Sequence, residues 1–250
     1  VVICGVDLGS YVTADAEDGS GLALTSLLKR IAQLPGAFRI RLSSIDPVHL
    51  TEDLLAVLSD PERFCPYLHV SIQSGSTLIL KRMKRRYDRE FLIDRLDAAR
   101  HHIDGLVLGA DVMAGFPTES EQDFADTVDV IDRSKVIYPH VFSFSARPGT
   151  PAARIPRQVP KMERRRRSAI LRTIGQVNRR LALQRMIGTN GRLIVERSDL
   201  VNKSNAYHGR LANYMPVRLE DPEKASANEV GVEIQGVNEE VLVARVSPSE

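Results

Sequence analysis

The sequence predicts an α/β fold in which a sheet or barrel of parallel strands is followed by a small all-β barrel. Two observations indicate this order: strand-like and helical stretches alternate through residue 150, and the hydrophobic period changes to two after residue 188. The 250 residues, 43% of them hydrophobic, suffice for one large domain or one with a small companion. No apolar run approaches the roughly 18 residues of a membrane-spanning helix, so we expect no membrane segment.

Four strand-like runs are each followed by apolar residues at helical spacing, and a fifth strand-like run comes after them. Parallel pairing with right-handed crossovers is typical of such an alternation. The predicted strands cover 1–6, 38–42, 67–72, 106–113 and 141–144, and the predicted helices lie within 22–31, 50–58, 78–96 and 124–131.

The loops that follow these strands are polar or contain glycine. Because active sites of parallel α/β folds lie at the carboxyl ends of the strands, we expect the chemistry in these loops. A glycine there admits a ligand's ring or ribose close to the backbone, although glycine at such a turn more often serves a tight bend. The loops are Gly9-Ser10, Ser43-Ser44, Gln73-Ser74-Gly75-Ser76, Gly115 and Arg147-Pro148-Gly149-Thr150.

The chain changes character after residue 150. Three prolines mark a linker, and between 154 and 185 eleven lysines and arginines stand against the single acid Glu163, although the whole chain has a formal charge of only +2. This segregation favours a face that meets a polyanion, and a solvated basic helix is the alternative. The apolar stripe predicted for this helix consists of Ile170, Ile174, Val177 and Leu181.

From residue 188 apolar and polar residues alternate in four or five short runs over about 60 residues. That is the size of a small barrel of the oligonucleotide-binding type, although a purely structural barrel has the same pattern. We therefore predict three parts: a core over 1–150, a proline-bearing linker and basic helix over 151–187, and an RNA-binding β-barrel over 188–250.

Familiar catalytic and metal motifs are absent from the sequence. It contains no phosphate loop and no zinc-protease or nucleophile-elbow motif, and its six histidines show no metal-ligand spacing. His69 and His140 lie inside predicted strands, where a core or edge histidine is the favoured interpretation. Cys4 and Cys65 lie far apart and are too few for a four-ligand site, so we predict no metal ligands in this chain and a reducing compartment.

Three long strings resemble successive barrel strands of the radical S-adenosylmethionine (radical SAM) methylthiotransferases. They are HVSIQSGS at 69–76 with LKRMKRRY at 80–87, DVMAGFPTE at 111–119, and FSFSARPGTPA at 142–152. The final barrel, through Gly209-Arg210 and Asn213-Tyr214, resembles the family's TRAM domain. Within the family, RIRLSSIDP at 39–47 and the His140-Val141-Phe142 start of the last strand are most similar to the MtaB branch.

The resemblance implies a partial radical-SAM (β/α) barrel followed by a TRAM-like barrel, with S-adenosylmethionine and [4Fe-4S] clusters as cofactors of the complete enzyme. It implies that the enzyme adds a methylthio group to C2 of N6-threonylcarbamoyladenosine in the tRNA anticodon loop. It also implies a cytoplasmic location and an electron donor that reduces the cluster. The alternatives are MiaB-like enzymes acting on isopentenyladenosine, RimO-like enzymes acting on a ribosomal-protein aspartate, a non-catalytic RNA-binding module and a generic barrel enzyme.

The family's cluster ligands are missing from this sequence. Members hold one cluster with a Cys-x-x-x-Cys-x-x-Cys loop after the first barrel strand and a second cluster with three cysteines of an amino-terminal domain. Neither set occurs here, and an iron–sulfur cluster needs thiolates close together in space. We therefore expect an upstream segment that carries these ligands, and a chain that is inactive alone.

The strand-end residues are the candidates for binding S-adenosylmethionine. The predicted contacts are Gln73 and Ser74 to its ribose or amino-acid part, the backbone of Gly115 and Phe116 to adenine, and Phe142 or Phe144 as apolar packing, with Ser43 and Ser44 as second choices.

Basic and aromatic residues after the fifth strand are the candidates for binding the RNA, because phosphates attract arginines and exposed bases stack on aromatic rings. The predicted contacts are Arg147, Arg164, Arg165, Arg166, Arg167, Arg172 and Arg179, with Tyr207 and Tyr214 as stacking candidates.

Overall fold

The computed structural model describes residues 1–13, 23–198, 207–220 and 229–247. The chain forms two compact units, Val1–Gln176 and Val177–Glu250. The first unit extends beyond residue 150 because part of a long helix packs into its core. The three sequence-based domain boundaries stay predictions. Among the described helices, none combines the length and apolar character that crossing a membrane requires.

Parallel strands form both sheets of the first unit. The strands are β1 (Val2–Ile3), β2 (Arg41–Leu42), β3 (Ser44–Ile45), β4 (Tyr67–Gln73), β5 (Val107–Ala114) and β6 (Tyr138–Ser143). β1 pairs with β2, and β3 to β6 form a four-stranded sheet in sequence order. A sequential order with a helix in each crossover is that of a (β/α) barrel, whereas a doubly wound sheet reverses its order. The predicted α/β fold is confirmed.

Capping side chains start the helices that cover these strands. Thr51, Ser76, Asp88 and Ser120 each accept a hydrogen bond from the backbone N–H three residues on, which satisfies a donor that the helix leaves unpaired. The helices are α1 (Leu24–Ala32), α2 (Glu52–Leu58), α3 (Thr77–Arg82), α4 (Arg89–His102), α5 (Glu121–Arg133), α6 (Pro151–Arg154) and α7 (Lys161–Arg185).

Alternation along β4 and β5 separates an apolar face from a polar one. Leu68, Val70, Ile72, Leu108, Ala110 and Val112 are buried in the main core, which also contains leucines of α2 and α4 and Phe124 of α5. The opposite face carries the intervening residues, and strand register adds those of β6. We call this the inner face; it consists of Tyr67, His69, Ser71, Gly109, Asp111, Met113, Tyr138, His140 and Phe142.

The apolar stripe predicted for α7 is only half right. Ile170 and Ile174 pack against the core, but Val177 and Leu181 remain 49% and 44% exposed. The fully buried residue of this helix in the core is Leu171. The helix is therefore rotated relative to the prediction, and a buried ion pair described below fixes that rotation.

Two local expectations differ from the structure. The predicted strand over 38–42 is reduced to β2, because Ile40 only bridges Phe64 and β3 follows as a separate strand. The strand at 207–211 is missing from the prediction because a glycine interrupts its apolar alternation. Leu22, counted in the first predicted helix, lies outside the described residues.

Five strands close into a barrel in the second unit, as predicted from the period-two pattern. They are β7 (Asn190–Ser198), β8 (Tyr207–Leu211), β9 (Pro216–Leu219), β10 (Glu229–Asn238) and β11 (Val241–Val246). Their spatial order is β7-β8-β9-β11-β10, closed by the β10–β7 pair, and only β9 and β11 pair in parallel. This Greek-key arrangement is that of oligonucleotide-binding barrels. Leucine, valine and isoleucine side chains fill the interior.

We expect Gly209→Ala to lower the free energy of unfolding by about 1–3 kcal/mol through overpacking. A Cβ at this position overlaps the carbonyl oxygen of Ile194, which belongs to the backbone of β7 and has little room to move. Gly231→Ala in β10 is the matched control, because its Cβ meets nothing closer than 3.9 Å. Urea denaturation followed by circular dichroism measures both variants, and equal stability of the two contradicts the prediction.

Candidate functional site

A polar cavity lies near the carboxyl ends of β1, β3 and β4. Its volume of about 460 Å³ is typical of small-molecule pockets, which span about 300–1,000 Å³. Charged side chains of both signs line it, and such a lining suits a zwitterionic ligand. The lining residues are Val6, Asp7, Leu8, Ser44, Asp46, Ser71, Met83, Lys84, Arg85 and Arg86.

Hydrogen bonds hold the acids of the cavity in place. Asp46 accepts from the N–H of Val48 at 3.2 Å and from Nη1 of Arg85 at 3.0 Å. A hydrogen bond from Ser10 lowers the pKa of Asp7. Asp46 is thus held by Arg85, and Lys84 and Arg86 are further cations of the lining.

Of the two predicted serines, Ser44 lines the cavity. Ser43 does not, and its hydroxyl oxygen is buried with no hydrogen-bond partner among the described residues.

The segment Ser74-Gly75-Ser76 fastens the end of β4 to α5. The N–H of Gly75 donates to Oγ1 of Thr127 at 2.9 Å, the Ser74 hydroxyl lies 3.2 Å from the same oxygen, and Ser76 donates to Asp123 at 2.5 Å. A Cβ at position 75 would lie 2.6 Å from Cα of Thr127, so this approach requires glycine. We call this set of contacts the clasp.

The clasp corrects the prediction for Ser74. This side chain is fully buried, and its hydroxyl is engaged by Thr127 and by the N–H of Ser76, so it cannot bind a ligand's ribose. The adjacent glycine serves helix packing rather than ligand approach. Gln73 has φ 62°, in the left-handed region, and its contact with a cofactor stays a prediction.

Part of the backbone of Gly115 and Phe116 is engaged within the protein, and the contact of these residues with adenine stays a prediction. Gly115 has φ 74°, and its N–H donates to Oε2 of Glu119 at 2.8 Å. The Phe116 carbonyl accepts from the N–H of Glu119 at 3.0 Å. The side chain of Arg164 occupies the space that a Cβ at position 115 would need.

The two predicted phenylalanines have different environments. Phe144 is buried and packs edge-to-face on Phe116, with ring centroids 5.4 Å apart, so its apolar packing is internal. Phe142 is 53% exposed on the inner face, and its packing against a ligand stays a prediction.

Polar side chains of three neighbouring strands meet on the inner face. Nε2 of His69 lies 3.2 Å from Oδ1 of Asp111, and Nδ1 of His140 lies 3.6 Å from the same oxygen. The hydrogen bond from His69 outweighs burial and lowers the pKa of Asp111. We call these three residues the His-Asp-His cluster.

Strand register and one glycine assemble this cluster. Gly109 pairs with His69, and Asp111 pairs with His140. A Cβ at position 109 would overlap the hydroxyl of Tyr67 and lie 2.6 Å from Nδ1 of His69. The sequence prediction missed the cluster because its members come from three strands. The sequence signal that could have found it is strand alternation, which places His69, Asp111 and His140 on the same face of β4, β5 and β6.

Comparison with known proteins identifies the family. A model of the radical SAM superfamily matches residues 12–131. The threonylcarbamoyladenosine tRNA methylthiotransferase MtaB of Rickettsia prowazekii is 38% identical over 219 residues, which cover 87% of this chain and 51% of that protein. MtaB of Bacillus subtilis is 39% identical over 160 residues, covering 64% and 35%. The chain belongs to the radical SAM methylthiotransferase family.

Another branch of the family is nearly as similar. The tRNA-2-methylthio-N(6)-dimethylallyladenosine synthase of Acetivibrio thermocellus is 34% identical over 176 residues, covering 70% of this chain and 37% of that protein. The chain spans about half or less of the length of these relatives. Among solved structures, the radical SAM enzyme coproporphyrinogen III oxidase (HemN) of Escherichia coli is similar to this chain at 16% sequence identity and a TM-score of 0.47. The alignment covers 86% of this chain and 50% of that protein, and the likeness is too weak to carry an argument.

Membership of a radical SAM family implies S-adenosylmethionine and an iron–sulfur cluster as cofactors. Cysteine thiolates hold such clusters, and this chain has only two cysteines. Cys4 is exposed, and burial raises the pKa of the Cys65 thiol, which disfavours the thiolate. The residues of this chain do not by themselves fit a cluster. The cavity, by contrast, offers hydroxyl, carboxylate and cationic side chains, which are the groups that bind a ribose, an amino group and a carboxylate.

Arg167 of α7 is buried rather than exposed on the surface. The prediction that it contacts an RNA phosphate is therefore wrong. The side chain of Arg167 is 5% exposed and binds Glu119 at 2.7 Å, Glu163 at 2.7 Å and Glu121 at 3.0 Å. Burial raises the pKa of Glu119, and the hydrogen bonds from Arg167 and Gly115 oppose that rise. This ion pair fixes the rotation of α7.

The other predicted RNA-binding arginines differ in their surroundings. Arg147, Arg165, Arg166 and Arg172 are exposed, and four of the predicted arginines make contacts within the protein. Those contacts join Arg164 to the Phe144 carbonyl, Arg166 to Glu163 and Glu121, Arg172 to the Val141 carbonyl, and Arg179 to Glu240. Their contacts with RNA stay predictions.

We expect Arg167→Ala to lower the free energy of unfolding by about 3–5 kcal/mol, because it leaves the Glu119 carboxylate buried without its cation. Arg165→Ala, on the exposed side of the same helix, should change it by less than about 0.5 kcal/mol. The loss from Arg167→Ala should be smaller at pH 5 than at pH 8, since Glu119 escapes the penalty by taking up a proton. Urea denaturation tests this, and a pH-independent loss contradicts the mechanism.

Proposed function

We propose that this chain is the cofactor-binding and RNA-binding part of a tRNA methylthiotransferase that adds a methylthio group to C2 of N6-threonylcarbamoyladenosine beside the anticodon. The observation that carries the proposal is the match over 219 residues to the Rickettsia prowazekii relative. Because 219 residues exceed either compact unit, the similarity extends over parts of both. A cytoplasmic location and an electron donor for the cluster belong to the same proposal.

S-adenosylmethionine is the ligand that we assign to the cavity. The hydroxyls of Ser44 and Ser71 suit its ribose, and the Asp46–Arg85 pair suits its amino and carboxylate groups. When bound, it supplies the organic radical and the methyl group. The chain's own residues orient it: Asp46 is held by the N–H of Val48, and Arg85 is held by Asp46.

We infer that the outer face of β8 and β9 is the RNA-binding surface. We also propose that this barrel is TRAM-like. The intervening residues are buried in the barrel, so His208, Arg210 and Arg218 lie on its outside, with His208 paired to Arg218. In oligonucleotide-binding barrels this face contacts the nucleic acid. The guanidinium of Arg210 lies 4.2 Å from the ring centroid of Tyr214, which adds a stacking surface.

The arginines at the start of α7 also support RNA binding, but fewer of them are available to phosphates than the sequence indicates. Arg147, Arg165, Arg166 and Arg172 are the exposed members of the predicted set, and Tyr207 and Tyr214 are half-buried. Arg166 shares its charge with two glutamates, which reduces its attraction for phosphate.

We expect Arg218→Ala to weaken binding of an anticodon stem-loop by the purified chain. Loss of one phosphate contact should make the slope of log K against log salt shallower by about 0.7–0.9. Fluorescence anisotropy between 50 and 200 mM salt measures the slope. Arg133→Ala is the control, because Arg133 is exposed on α5 and pairs with Asp97. An unchanged slope for Arg218→Ala removes this face from the RNA-binding surface.

The dimethylallyladenosine branch is the second candidate, because its Acetivibrio thermocellus member is 34% identical to this chain. Chimeras separate the two substrates. This chain would replace the matched segment of Bacillus subtilis MtaB and, separately, that of the Acetivibrio thermocellus enzyme, each in a host lacking the corresponding activity. Mass spectrometry of tRNA nucleosides identifies the product.

We expect methylthiolated threonylcarbamoyladenosine from the first chimera and no methylthiolated dimethylallyladenosine from the second. The parent enzymes in the same hosts are the controls. Product from the second chimera alone assigns the chain to the other branch. Absence of product from both, with folded proteins, contradicts the proposed activity.

A further inference from the structure

We propose that the His-Asp-His cluster binds a divalent transition-metal ion through Nε2 of His69, Nδ1 of His140 and a carboxylate oxygen of Asp111. The site is separate from the cavity assigned to S-adenosylmethionine, because no cluster residue lines that cavity. Two imidazoles and one carboxylate form a donor set that suits Zn²⁺ and its neighbours in the first transition series.

The three ligand atoms already stand close to the spacing that a metal ion requires. All lie within 4.8 Å of one another, and the two contacts to Asp111 are 3.2 and 3.6 Å. In a tetrahedral site with metal–ligand bonds of about 2.0–2.1 Å, neighbouring ligand atoms lie about 3.3 Å apart. Small side-chain rotations therefore suffice to admit the ion.

The surroundings of His69 orient it as a ligand. Its Nδ1 lies 3.2 Å from the hydroxyl of Tyr67, while Nε2 points at Asp111. Without the metal, the Nε2 proton of His69 is donated to Asp111. A metal ion would displace that proton, and a proton on Nδ1 donated to Tyr67 would then leave the Nε2 lone pair for the ion, which is the usual arrangement of metal-binding histidines. Gly109 makes room for the side chains of Tyr67 and His69, because a Cβ at position 109 would collide with the Tyr67 hydroxyl and with Nδ1 of His69.

The charge at the cluster favours a cation on balance. The carboxylate of Asp111 lies 3.2 Å from His69 and 3.6 Å from His140, so it places an anionic ligand between the two imidazoles. Arg85 also acts on Asp111 and repels a cation. The 3.0 Å pair with Asp46 offsets part of that repulsion.

The cluster is open on one side. The His69 side chain is 10% exposed, whereas those of Asp111 and His140 are 22% and 63% exposed. An ion can therefore enter from the inner face. Three protein ligands leave a fourth position for water, as in zinc sites that bind substrate.

Zinc titration of the purified full chain tests the proposal, with competition against a chromophoric chelator as the readout. We expect one Zn²⁺ per chain, and Asp111→Asn, which keeps the side-chain shape, should weaken binding at least tenfold. Tyr67→Phe should weaken it about 10–100-fold through loss of the orienting hydrogen bond. Circular dichroism verifies the fold of each variant, and Co²⁺ absorption bands report tetrahedral coordination.

Two controls remove adventitious sites. His101→Ala changes an exposed histidine on α4, and Cys4→Ser removes an exposed thiol. Both should bind zinc like the unaltered chain. The proposal is overturned if the chain binds no zinc at micromolar concentrations, or if folded Asp111→Asn binds it as tightly as the unaltered chain. Either result leaves the cluster as a hydrogen-bonded structural contact.

Discussion

The clasp between the end of β4 and α5 is the contact on which the rest of the site depends. It brings two backbones so close that Gly75 has no space for a side chain, and the hydroxyls of Ser74, Ser76 and Thr127 satisfy buried polar groups there. Arg89 reinforces it by donating to the carbonyls of Gly75 and Asp126. Because the hydrogen bonds are directional, the end of β4 has one position, and the inner-face residues His69 and Ser71 are positioned with it.

A second buried contact fixes the end of β5, as the clasp fixes the end of β4. The carboxylate of Glu119 joins the N–H of Gly115 to the guanidinium of Arg167, so the loop after β5 is tied to α7. Both loops are thus held by neighbouring helices in the protein alone. A ligand that binds at these strand ends meets a framework that is already ordered, and its binding energy need not be used to order the loops.

The sequence was sufficient for the order of elements because hydrophobic period is a local property, so the parallel strands and the closed barrel were both predicted. It was insufficient for Ser74 and Arg167 because a serine or an arginine serves packing and ligand binding equally well. The partner decides the role, and for Gly75 that partner lies 52 residues away. Ser44 lines the cavity, and its contact with a cofactor stays a prediction.

The inner face is layered, and the layers explain why two chemically different sites coexist on it. Tyr67 and Tyr138, whose ring centroids lie 6.4 Å apart, form an aromatic layer beside the His-Asp-His cluster. Ser71 lies further toward the carboxyl end, where the cavity is. His69 joins the aromatic layer to Asp111, because its Nδ1 lies 3.2 Å from the hydroxyl of Tyr67 and its Nε2 lies 3.2 Å from Asp111. The aromatic layer therefore helps to orient the imidazole that faces Asp111.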